Sequence, residues 1–279
     1  MSGLPRGALS EAQFELLSWA IGLHIGVPRP QTRDTQYISR VSNVGTNYRA
    51  ATGRGYSSNA ALDFHVDGAD LTTLACYNKA QSGGQSMVVS SVTARNQMVH
   101  ERPDLAQLLH ADYYYSRQGE QAEDEREYYA QPVFDVFNGR VFGKWNRNRL
   151  QTAQNLAGVP QLKPEQIEAL ELLDDILMRE ELLYTMYLEP GDLQIMNNYV
   201  MLHSRTQFID FDNPAEKRLL FRLWLTPPDA IRLPPSWEEI YRTVEPATVR
   251  GGFRGQQYNE ACRAFERRQA GIHNMHSDA

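Results

Sequence analysis

Between residues 191 and 225 the chain reads as three short strands in close succession, GDLQIMNN, YVMLHSR and RLLFRLWL. Strands this short and apolar are stable only when their sheet is stacked on another layer. Upstream, DLTTLACYN (70–78) and SMVVSSV (86–92) have the same β-rich composition, and the turn-forming SGG (82–84) separates them. PVFDVFNGRVFGKW (132–145) reads as a hairpin, because Asn138-Gly139 suits a type I′ turn. Helices fill the remainder. Residues 10–25 open with a Ser10/Gln13 capping box and repeat Phe14, Leu17, Ile21 and Ile25 on one face. A helical stretch covers 93–111, interrupted near Pro103. In 163–180, Pro164 fits the first turn, and Ile167, Leu170, Leu173, Ile176 and Leu177 form the apolar face. Closing helices are expected at 235–242 and 257–268, and the tail HNMHSDA is expected to fray. The pattern is mainly β with α insertions, a β-sandwich or jelly roll. No break between domains is visible, so one domain over 1–279 is expected.

Composition narrows the function classes. The 279 residues are 42% hydrophobic and 22% charged, as in ordinary globular proteins. A net charge of −6 argues against a nucleic-acid partner, which needs clustered Lys and Arg. No run of 18 apolar residues exists to cross a membrane. MSGLPRGALS lacks the apolar region of a secretory leader, and only Cys76 and Cys262 are present. A cytoplasmic protein is the expectation.

The chemistry concentrates in NAALDFHVDGAD (59–70), where His65 and Asp67 stand two apart at the end of an apparent strand. Such positions point to the same side. Two imidazoles and one carboxylate hold Fe(II) on one face of an octahedron and leave three positions open. His24, His100 and His110 fall in expected helices, and His273 and His276 in the tail, so His203 is the best third ligand. An isolated His-x-Asp pair is common, and a lone strand histidine is more often a core residue. The surroundings add weight. Arg218 and Arg222 stand four apart in the otherwise apolar KRLLFRLWL and share a face. Buried guanidinium is costly without an anion, whereas an edge strand would turn both arginines outward. A small dianion satisfies both demands, chelating iron at one end and meeting a guanidinium at the other.

FHVD, SGGQS, GDLQIMNNYVMLHSR and KRLLFRLWL, in that order, resemble the taurine dioxygenase/TfdA-type group of Fe(II)- and 2-oxoglutarate-dependent oxygenases, in the clavaminate synthase-like superfamily. The resemblance spans about 55–228, leaving 235–270 as a C-terminal helical segment. It implies a double-stranded β-helix, with Fe(II), 2-oxoglutarate and O2 as cofactor and cosubstrates. It assigns His65, Asp67 and His203 as iron ligands. It assigns Ser86 as the hydroxyl on the distal carboxylate of 2-oxoglutarate and Arg218 as that carboxylate's ion pair. Arg222 corresponds to an arginine that faces substrate or braces the site, and it stands with Ser86 and Arg218 among the residues expected to bind the cosubstrate. The implied reaction yields succinate and CO2 while oxidising, most simply hydroxylating, an unactivated C–H bond; desaturation, epoxidation and cyclisation stay open. The carboxylate at Asp67 disfavours halogenation, since related halogenases leave that position empty. The chain has less sequence before its first helix than is usual for that group.

Around this centre, Asn197, Asn198 and Gln194 are candidates to orient the imidazoles, while Asp63 and Asp70 read as solvated or capping residues. Asn59, Tyr56, Trp145 and Arg222 are candidates for substrate contact. Tyr113, Tyr114 and Tyr115, followed by EQAEDERE (120–127), read as a lid or insertion. The expected partner is a small molecule, anionic or amino-acid-like; a homo-oligomer is compatible with the sequence. Two rival readings keep the same ligands: a non-catalytic, cupin-like metal-binding or sensor protein, and a zinc-dependent hydrolase. The hydrolase has no use for Ser86 with Arg218.

Overall fold

The Leu219–Thr226 strand is buried at every position and forms the spine of a five-stranded antiparallel sheet. The computed structural model describes residues 1–277. One edge of the spine pairs with Leu71–Asn78, beyond which lies Leu193–Asn197. Its other edge pairs with Val27–Arg29 and Ile38–Val41. A second sheet has four strands in the order Tyr184–Met186, Ser86–Ser90, Met201–Arg205, Leu62–His65, again antiparallel. These are the two sheets of a double-stranded β-helix with helical insertions. Register in the second sheet sets the site. His203 lies across from His65 on one side, and Arg205 lies across from Ser86 on the other. Directly opposed residues in antiparallel strands bring same-face side chains together.

Two glycines of the SGG turn are required by its path. Gly83 has φ +69° and pairs with Phe208; a Cβ there would fall 2.1 Å from the Gln207 carbonyl oxygen. Gly84, at φ +71°, faces the Arg218 side chain, whose Nε lies 3.4 Å from where a Cβ would be. A left-handed φ costs glycine little and other residues more.

The helices pack on this frame with small departures from expectation. In Glu11–Ile25 the capping box of Ser10 and Gln13 is present, but the buried face runs Phe14, Ser18, Gly22 rather than through Leu17 and Ile21. The reason is close approach: a Cβ at Gly22 would lie 2.4 Å from Leu223 Cδ1, so the helix rides directly on the spine strand. Pro164–Leu177 buries Leu170, Leu173, Ile176 and Leu177 completely, while Ile167 is 39% exposed at its first turn. Asn138 and Gly139 take φ of 51° and 73° between Phe134–Phe137 and Arg140–Gly143, as the hairpin requires. The expected lid is instead a paired hairpin, Asp112–Ser116 with Tyr128–Pro132. Alternation explains it: Tyr113 and Tyr115 point inward, and Tyr115 stacks on Tyr129 with ring centroids 5.5 Å apart. The tail is docked as far as His276, which bridges Thr248, and His273 Nε2 lies 2.8 Å from the Leu23 carbonyl oxygen. The last two residues of the tail expected to fray lie outside the described residues.

Asp70 is neither solvated nor a cap. It is 1% exposed and accepts from Arg250 Nε at 3.0 Å and from Arg250 Nη2 at 2.6 Å. Arg250, fully buried, also donates to Tyr199 Oη and to the carbonyls of Ile231, Val244 and Glu245. Arg250→Met strands the Asp70 carboxylate without a counter-ion. The expected loss is about 3–5 kcal/mol, read as a lower urea midpoint at unchanged slope. Asp70→Asn in the same chain should restore part of it.

Candidate active site

The Leu62–His65 strand ends at His65, and Asp67 follows two residues on. Met201–Arg205 brings His203 alongside, with the imidazole centroids 4.3 Å apart. Ligand atoms of His65, Asp67 and His203 all lie within 4.8 Å of one another. His203 Nε2 is 3.8 Å from Asp67 Oδ2, too long for a hydrogen bond and suited to a cation between them. His65 Nδ1 lies 2.9 Å from the Asp63 carbonyl oxygen, where it donates and leaves Nε2 its lone pair. Burial, then the neighbouring His65, pushes the His203 imidazole down to about 3. Burial likewise lowers His65. Burial alone would raise Asp67, but Arg222, His203 and His65 outweigh it and hold the carboxyl well below the usual range. Two neutral imidazoles and one carboxylate are the donor set of a ferrous facial triad, so these residues fit that metal.

Asp67 is braced at both carboxylate oxygens and at its backbone N–H. Asp67 Oδ2 accepts from Thr72 Oγ1 at 2.9 Å, and Oδ1 from Arg222 Nη1 at 3.3 Å. Its backbone N–H donates to Asn198 Oδ1 at 3.2 Å, while Asn198 Nδ2 donates to the Ala69 carbonyl and Thr72 Oγ1. Of the three polar residues singled out in the sequence, Asn198 therefore holds the loop that carries Asp67. Asn197 caps a turn by accepting from the Tyr199 N–H, and Gln194 lines the cavity. Asp63 is ion-paired with Arg49.

The triad opens into a cavity between the sheets. Ser86, Arg205 and Arg218 line one end. Arg205 and Arg218 both lie over the Phe208 ring, at 4.6 and 5.0 Å from its centroid. Arg218 Nη1 and Arg205 Nε and Nη1 are buried without a hydrogen-bond partner among the described residues. Burial lowers Arg218 to about 10; burial, then Arg218, lowers Arg205 to about 9. Two guanidinium groups held together with free donors call for an anion. Arg205 Nη2 is the satisfied arm, bonded to the Ser58 and Ala60 carbonyls.

Arg222 sits apart from this pair. Its Nε donates to Gln31 Oε1 at 2.8 Å, its Nη1 meets Asp67, and it lies over Tyr56 and Trp224. Tyr56 lines the cavity. Asn59 and Trp145 are not in the wall: Asn59 is tied by side chain and backbone to Phe208, and the Trp145 indole is 1% exposed in the main apolar cluster. Strand alternation separates Trp145 from the neighbour that does line the cavity, Lys144. Thr72, Gln31, Arg205, Lys144 and Arg149 also belong to the site or its supports and are not marked as such in the sequence. Only Arg205 carried a local signal, standing two residues after His203 on one strand.

Fold and site together define a non-haem iron oxygenase. The family model described as "Taurine catabolism dioxygenase TauD, TfdA family" matches residues 3–224, and the chain belongs to that family. It is an oxidoreductase that works with Fe(II), 2-oxoglutarate and O2. FR-33289 synthase of Streptomyces rubellomurinus (strain ATCC 31215) is 28% identical over 240 residues, covering 85% of this chain and 70% of that protein. Among solved structures, asparagine oxygenase in complex with Fe(II), 2S,3S-3-hydroxyasparagine and succinate aligns with a TM-score of 0.56 at 20% identity. That alignment covers 81% of this chain and 69% of the other. The non-haem iron oxygenase OrfP in complex with Fe and alpha-ketoglutaric acid aligns with a TM-score of 0.54 at 14% identity, covering 79% and 68%. Among the described residues, no helix is long and apolar enough to cross a membrane.

Proposed function

We propose that the enzyme hydroxylates an unactivated C–H bond of a small organic substrate, with His65, Asp67 and His203 as the iron ligands. Ser86 and Arg218 hold the distal carboxylate of 2-oxoglutarate, with Arg205 as a second guanidinium at that end. The observation that carries this reading is one cavity containing both a buried two-imidazole, one-carboxylate cluster and, at its far end, buried guanidinium donors with no protein acceptor. A zinc hydrolase needs the first and not the second.

The bound metal supplies activation of O2 coupled to decarboxylation of 2-oxoglutarate to succinate and CO2. The chain supplies geometry. Asp63 fixes the His65 tautomer through its carbonyl, which keeps a lone pair aimed at the metal position. Thr72 and Arg222 hold the Asp67 carboxylate ionised and in one orientation. Arg222, engaged by Asp67 through Nη1 and by Gln31 through Nε, is a positioning residue for the ligand, and its buried Nη2 is left without a partner among the described residues. Leu74, Met87 and Trp224 furnish apolar wall and limit water near the reacting carbon.

The first test is spectroscopic. Anaerobic addition of Fe(II) with 2-oxoglutarate should produce a weak visible charge-transfer band that neither addition gives alone. A protein that binds both without the band fails this reading. Substrate-stimulated succinate release then ranks candidate compounds.

A further inference from the structure

The cavity has a second cationic end that the reaction as described does not use. Arg54, Lys144 and Arg149 line it together with Gln118, Tyr129 and Phe253. All but Arg54 of the polar four are nearly inaccessible: Lys144 is 3% exposed, Arg149 5% and Gln118 6%. Register places the cluster beside the metal. Asn146 bridges His65 in antiparallel fashion, and the Val66 N–H donates to the Trp145 carbonyl at 2.9 Å. The same register carried one step further sets Lys144 beside Asp67, on the face shared by His65 and Asn146.

The charges at this end do not balance. Glu120, 4% exposed, pairs with Arg54 and lies 3.4 Å from Arg149 Nη2. Arg149 Nη1 donates to the Ser116 carbonyl, and its guanidinium lies over the Phe253 ring. Lys144 lies over the Tyr129 ring at 5.7 Å and has no ion-pair or side-chain hydrogen-bond partner among the described residues. Gln118 Nε2 is buried with no partner either. Three cations thus face one carboxylate, an excess of two positive charges, with an ammonium and an amide N–H2 left as unmatched donors. Among the described residues Asp67 is the one acid in the cavity wall, and Arg222 already engages it, so a substrate ammonium would find no free counter-ion there. A buried excess of this kind is costly until an anion fills it.

We propose that Lys144, Arg149, Arg54 and Gln118 form the substrate anchor, and that the substrate carries a doubly charged oxyanion group, a phosphonate, phosphate ester or dicarboxylate. The anchor holds that group while the C–H bond to be oxidised lies over the metal. This rests on the proposed function for its substrate meaning; the anion site itself stands on the cluster alone.

The experiment is calorimetric titration of the anaerobic Fe(II) protein with saturating 2-oxoglutarate, so that the Ser86/Arg218 end is occupied. Propylphosphonate, propyl phosphate and propylmalonate are compared with singly charged propylsulfonate and butyrate at pH 8. At least one dianion should bind ten-fold or more tightly than both monoanions, and which one does so identifies the head group. Lys144→Gln and Arg149→Gln should each weaken it at least ten-fold. Lys144→Gln should leave 2-oxoglutarate affinity unchanged and the melting temperature nearly so, since among the described residues Lys144 has only the Tyr129 ring, and no ion pair or side-chain hydrogen bond, to lose. Dianion binding that is no tighter than monoanion binding, or that survives Lys144→Gln in the folded protein, overturns the proposal. If the wild type fails to take up Fe(II) with 2-oxoglutarate, the functional reading falls. Lys144-dependent dianion binding by the metal-free protein then still upholds the anchor.

Discussion

Arg218→Ala raises the 2-oxoglutarate requirement by about 30- to 4,000-fold, the factor corresponding to about 2–5 kcal/mol for removing one partner of a buried charge pair. The expectation follows from position. The Arg218 guanidinium is 6% exposed, is held above Phe208 by the Gly84 gap, and keeps a buried Nη1 without a protein acceptor. Titrating the charge-transfer band against 2-oxoglutarate measures it without any substrate. Iron retention in Arg218→Ala should be unchanged, because nothing links Arg218 to the triad. Arg222→Ala should do the reverse: it removes a brace from Asp67 Oδ1 and weakens iron retention while leaving the cosubstrate end intact. If Arg222→Ala raises the 2-oxoglutarate requirement and Arg218→Ala does not, the two roles have been assigned the wrong way round.

His203→Ala abolishes Fe(II) retention and with it all succinate formation. A two-ligand remnant of His65 and Asp67 lacks the third donor of the facial set. Metal content after desalting under anaerobic conditions is the measurement, and His65→Ala should behave the same way. The fold should survive. Removing a buried imidazole leaves a small void, while relieving the crowding of two rings 4.3 Å apart. A folded His203→Ala protein that retains stoichiometric iron would show that the cluster is not the metal site.

The parts of this site visible in the sequence were those written in local spacing. His65 and Asp67 stand two apart, so strand geometry alone brings them to one face, and the two arginines stood out against an apolar strand. The hairpin at Asn138-Gly139 and the capped first helix were visible for the same reason. What escaped depends on register between distant segments. Lys144 reaches the metal's neighbourhood only because residues 144–146 lie against His65 and Val66, and no pattern within 132–145 announces that pairing. Trp145, chosen as a wall residue for its size, falls on the opposite side of the same segment. The Tyr113–Tyr115 run looked like an insertion because its charged continuation drew attention, yet its period of two already described a strand. Asp70 is the instructive case. A carboxylate near a ligand motif looks solvated until its partner, 180 residues away, is known.

That partner lies outside the stretch matched by the family model, which ends at residue 224. Arg250 clamps Asp70, the Gly252 N–H bonds the Gly68 carbonyl at 2.7 Å, and Phe253 packs edge-on against Trp224 while entering the cavity wall. The barrel thus takes both a clamp beside the His65–Asp67 segment and part of its cavity wall from the residues that follow its spine strand. A smaller side chain at Phe253 would therefore reshape the chamber without touching His65, Asp67 or His203.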